Sequence, residues 1–133
     1  TARDFFETLR EAGVKRVVDI RLSNVSQLAG FTKKTDLEYF LRAINDVDYV
    51  HLVELAPTKG LMDDYRKKQI EWAEFERRFG RLLRQRDPAA QLPPADFDNA
   101  CLLCSEPDPE QCHRRLVARY LQRTWSKVEV KHL

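Results

Sequence analysis

Cys112, His113 and Arg114 follow one another directly, and a second cysteine, Cys104, lies a short loop upstream. In the stretch CLLCSEPDPEQCHRRLVARYL, residues 101–121, the opening apolar run reads as a buried strand. The acidic, proline-containing segment reads as a tight loop, and the remainder as a helix that opens near Cys112. Helix starts favour anions, because their first N–H groups and the helix dipole point outward. A thiol placed there loses its proton more readily, by roughly one pKa unit or more. A thiol, an imidazole and a guanidinium at that place point to a reactive cysteine, an anion site, or both. His113 could serve as the base for Cys112, although a lone histidine there also reads as a capping or surface residue. Cys112 taken alone reads equally as a small buried residue sealing the turn.

Other polar residues stand where strands end. Asp19 and Arg21 flank Ile20 at the end of VKRVVDI, residues 14–20. Glu54, Thr58 and Lys59 leave YVHLV, residues 49–53, and Cys104 and Glu106 leave the strand that begins at Ala100. In a parallel sheet these exits share one edge, and that edge is where open α/β sheets bind ligands. Arg21, Lys59, Arg114 and Lys33 are candidate anion ligands, with Asp19, Thr58 and Glu106 beside them. Glu54 is a candidate base, or the ion-pair partner of Arg21. Asp19 is a candidate base or a structural partner. Cys101 and Cys104 have the spacing of a zinc half-site. On a strand, however, residues three apart face opposite ways, and Leu102-Leu103 supplies no turn. Cys101 is therefore expected in the core. No metal or other cofactor is expected, though a mixed zinc site from Cys104, Cys112, His113 and His51 stays open.

The elements that must position these residues follow from hydrophobic periodicity. Phe5, Phe6, Leu9 and Ala12 mark one face of a first helix, which Gly13 stops. The first strand, residues 14–20, has the β-branched composition of a buried parallel strand. After a polar loop, Thr35 and Glu38 read as a capping box for a helix with Leu37, Phe40, Leu41 and Ile44 inward. A second strand spans 49–53. A charged helical stretch follows over 61–86 and breaks near Ile70. The third strand is 100–104, the last long helix 111–124, and an alternating edge strand 127–133 ends the chain. This alternation predicts a single α/β domain over 1–133, a three-layer Rossmann-like fold. Its mostly parallel sheet carries helices on both faces. Since a helix comes first, the natural opening strand of the sheet is expected to be missing.

The bulk properties exclude some classes. A chain of 133 residues, 43% hydrophobic and 33% charged, can build one core and carries a well-solvated surface. A net charge of +2 argues against holding nucleic acid by bulk electrostatics. A local basic face over Arg77 to Arg86 keeps a nucleic-acid partner open, beside the small anionic ligand. No apolar run approaches the ~20 residues a membrane span needs, so no membrane partner is expected. Three cysteines do not make a secreted disulfide framework. A reducing cytoplasmic compartment is the expectation. Oligomeric state is not legible.

Taken together, these motifs resemble the bacterial and archaeal proteins of domain-of-unknown-function family 488. The matching pieces are Val18-Asp19-Ile20-Arg21 with Ser23, Phe31-Thr32-Lys33, and Tyr49-Val50-His51-Leu52 running into Glu54-Leu55-Ala56-Pro57-Thr58-Lys59. They end with Leu103-Cys104-Ser105-Glu106, Asp108-Pro109 and Cys112-His113-Arg114. Members of that family usually begin with a Tyr-Thr-Ile-Gly strand, so the resemblance also implies a missing first strand. It implies the fold and the place of the site, and names no activity. The layout is similar to rhodanese-like and cysteine-phosphatase folds, but the loop carries Glu106, Asp108 and Glu110, which would repel a phosphate. Three readings stay open: a small enzyme or binding protein for a phosphate- or nucleotide-like anion, a nucleic-acid module, and a thiol-redox or zinc protein.

Overall fold

Three parallel strands form the centre of the computed structural model. Residues 1–22, 34–104, 112–125 and 129 are described, with backbone only at 34 and 35. Lys33, Glu106, the loop around Ser23 and nearly all of the strand expected over 127–133 lie outside them. Strand β1 (Arg16–Asp19) lies between β2 (Asp48–His51) and β3 (Ala100–Leu103), and both pairings are parallel. Register sets Asp19 opposite His51 on one side and Leu103 on the other. The strands' carboxyl ends therefore share one edge.

The side chains of β1 alternate between two cores. Val17 packs with Phe6 and Leu9 of α1 (Ala2–Glu11), Leu37 of α2 (Lys34–Phe40), Leu41 and Val47. Val18 and the following Ile20 pack on the other face. Their neighbours come from α3 (Lys59–Arg66), α4 (Trp72–Arg86) and α5 (His113–Thr124), among them Met62, Phe75, Phe79, Leu83 and Val117. A strand covered on both sides carries apolar residues on both faces, as Val17, Val18 and Ile20 do here, with Asp19 the one buried charge among them. Each large side chain buried there, such as Phe79, contributes roughly 1.5–3 kcal/mol. The α/β class expected from alternation is the fold observed.

Local signals explain most element ends. Thr1 caps α1 by accepting from the Asp4 N–H, and Gly13 follows the helix at φ 70°, where a β-carbon is disfavoured. The charged stretch divides between Arg66 and Trp72, with Lys68 at φ 59°, matching the break expected near Ile70. Two expectations differ. The helix after the polar loop begins at Lys34, so Thr35 sits inside its first turn and not at its cap. Ile44 is 46% exposed. After Phe40 the helix widens into a π turn, Leu41–Asn45, which shifts the phase of the buried stripe. Leu41 stays in the core and Ile44 rotates out.

Candidate functional site at the carboxyl edge of the sheet

Asp19 ends the central strand and is fully buried, and Arg21 is 3% exposed. A carboxylate and a guanidinium can be buried together only if their hydrogen bonds are met. Arg21 donates from Nε to Asp19 Oδ1 at 2.9 Å and from Nη2 to Oδ2 at 2.8 Å. Its backbone N–H reaches Oδ1 at 3.1 Å. The Tyr49 hydroxyl donates to Oδ2 at 2.5 Å. These four bonds fill the four acceptor sites of a carboxylate, so Asp19 is built as a structural partner. Burial alone would lower the Arg21 pKa, but Asp19 and Tyr49 together more than offset it and the guanidinium stays charged.

Two imidazoles hold the next peptide groups. His51, at the end of β2, places Nε2 2.7 Å from the Arg21 carbonyl. His113, at the start of α5, places Nε2 2.8 Å from the Ile20 carbonyl. A carbonyl oxygen only accepts, so each Nε2 carries the proton. His113 is 3% exposed and meets the Phe79 ring edge-on. The β1 exit is thus gripped by β2 on one side and by α5 on the other. The sequence offered His51 only as a ligand of a mixed zinc site, and Tyr49 only as part of a strand. Their spacing on one strand face was the available signal.

Cys104 follows β3 directly, and Cys112 is the N-cap residue of α5. The two are joined as a disulfide, with their Cα atoms 7.3 Å apart. Cys112 has no solvent exposure, whereas Cys104 is partly exposed. Cys101 packs into the core on the α1 side of the sheet and Cys104 into the opposite one, as strand parity requires. Burial pushes the Cys101 thiol up, and Arg114 partly opposes this. Arg114 is half-buried and Arg115 exposed. Among the described residues no group of three or more His, Cys, Asp or Glu is placed to hold a metal.

The residues after β2 are arranged differently. Arg21 has Asp19 as its ion-pair partner, and Glu54 is exposed on the turn Val53–Leu55. Arg86 fastens that turn by donating to the carbonyls of Glu54 and Ala56. Thr58 caps α3 by accepting from the Leu61 N–H at 3.1 Å. Lys59 is 84% exposed and pairs with Asp63 one turn on, which draws the Asp63 carboxyl below its usual range. Thr58→Ala is expected to lower stability by about 1 kcal/mol, measured by urea denaturation, with Thr58→Ser near wild type. An unchanged midpoint for Thr58→Ala would remove the capping role. The basic stretch is partly neutralised as well. Arg77 and Arg78 pair with Glu74, Arg78 also with Asp64, and Arg86 is held by the two carbonyls.

The fold and this edge define a class: a parallel α/β protein whose polar, thiol-bearing cluster sits where its strands end. Residues 1–121 match the family described as Domain of unknown function DUF488, and the chain belongs to that family. No curated protein and no solved structure matches it significantly.

Proposed function

We propose that the carboxyl edge is a thiol–disulfide site with Cys104 and Cys112 as the reacting pair. His113 and Arg114 stand beside it. The cluster of buried Asp19 and Arg21 with half-buried Tyr49 and His51 fixes the strand ends that position it. The observation that carries this reading is the joining of two sulfurs from separate elements at the first turn of a 12-residue helix, where a thiolate is favoured. In the forward direction the two thiols give two electrons and two protons to an external disulfide. That disulfide leaves as two thiols, and the Cys104–Cys112 bond closes. The anionic-ligand reading has less behind it, since Asp19 engages the Arg21 guanidinium and Asp63 pairs with Lys59. In a reducing compartment the resting form would be the dithiol.

Equilibration in buffers of stepped reduced-to-oxidised glutathione ratio, acid quenching and alkylation with a mass tag test the reading. Two thiols are expected to disappear together, while Cys101 stays reduced at every ratio. Cys101 is also expected to alkylate more slowly than a free thiol, because burial raises its pKa and keeps it protonated. If no thiol is lost in fully oxidised glutathione, or if single cysteines become glutathionylated independently, the reading is wrong.

A further inference from the structure

Resting on that thiol–disulfide reading, we infer that Cys104 makes the first attack on the external disulfide and that Cys112 resolves it. Sequence position favours the opposite assignment, because Cys112 is the residue at the helix start. The structure separates the two by access. Cys112 is fully buried, at the N-cap of α5 and next to His113, itself 3% exposed. Cys104 lies one residue beyond β3 at the sheet edge and keeps part of its surface in solvent. A disulfide-bearing substrate must bring one sulfur into line with the attacking thiolate, so access decides which cysteine is attacked through. The helix start favours the thiolate form of either sulfur, since the two are in bonding contact.

The sequence of steps balances. The Cys104 thiolate attacks one sulfur of R–S–S–R′, forming Cys104–S–S–R and releasing R′–S⁻, which takes up a proton. Cys112 then loses its proton to solvent and attacks the Cys104 sulfur of the mixed disulfide. The Cys104–Cys112 bond forms and R–S⁻ leaves. The protein is oxidised by two electrons, and the external disulfide is reduced by two. The second step needs no movement of substrate, because the resolving sulfur already lies against Cys104.

Oxidised glutathione is the probe. Reduced Cys112→Ser is expected to accumulate one glutathione on Cys104, seen by intact mass. Reduced Cys104→Ser is expected to react roughly tenfold or more slowly, as a covered thiol does. Faster labelling of Cys104→Ser than of Cys112→Ser would overturn the assignment. Because either variant could fold poorly, the reduced wild type is also pulsed briefly with iodoacetamide and mapped by peptide. Cys104 is expected to carry the first label, and first labelling at Cys112 would overturn the assignment independently. If the wild type forms no internal disulfide with oxidised glutathione, the underlying thiol–disulfide reading fails instead. That outcome is distinct from a reversal of roles.

Discussion

Asp19→Asn is expected to lower the unfolding free energy by about 3–5 kcal/mol, the usual cost of leaving one charge of a buried pair uncompensated. Asp19 has no solvent exposure, Arg21 is 3% exposed, and the guanidinium cannot shed its proton in place. An amide keeps the shape but offers one acceptor oxygen where the carboxylate offers two. It also points N–H groups at Arg21 or Tyr49. The loss should appear as a lower urea midpoint at unchanged slope. A double replacement, Asp19→Leu with Arg21→Met, should recover much of it, because removing both charges removes the desolvation penalty. Tyr49→Phe should cost less, about 1–2 kcal/mol, for one hydrogen bond to a charged group. A loss below roughly 1 kcal/mol for Asp19→Asn would show that water reaches the pair.

Reduction of Cys104 and Cys112 is expected to lower stability by about 2–3 kcal/mol. The cysteines are 8 positions apart, and closing so short a loop removes a modest share of the entropy of the unfolded chain. The measurement is a pair of urea curves, with and without reductant. The variant carrying both Cys104→Ser and Cys112→Ser serves as a control that ignores the reductant. Superimposable wild-type curves would mean that the bond does not hold the strand exit to the helix start in solution. Since the bond joins β3 to α5, reduction is also expected to speed amide hydrogen exchange at the first turn of α5 more than in α1.

Much of the architecture was legible because burial on two faces leaves a plain signature. The β-branched run within residues 14–20 read as a buried parallel strand, and the parity of Cys101 and Cys104 placed them on opposite faces before any contact was known. The pairing of Asp19 with Arg21 was legible in principle too, since residues two apart on extended chain share a side. What hid it was competition. Glu54 was an equally good partner on charge alone, and charge carries no distance. Tyr49 and His51 share a strand face, but only the register of β2 against β1 brings them to Asp19. Register depends on pairing between distant segments. Ile44 was misplaced because a π turn leaves no mark in a pattern read at 3.6 residues per turn. Thr58 and Lys59 lay close to the predicted site, and the capping of α3 and its first-turn ion pair account for both.

The grip of His113 on the Ile20 carbonyl spans 93 positions, and that has a bearing on the order in which the molecule is made. The three described strands are present once Leu103 has been synthesised. Until the start of α5 emerges, the Ile20 carbonyl lacks the His113 imidazole, and Cys104 lacks the Cys112 sulfur. The polar edge and the core beneath it are thus both completed only when α5, with Leu116, Val117 and Leu121, is added, and until then Cys104 is without its partner Cys112.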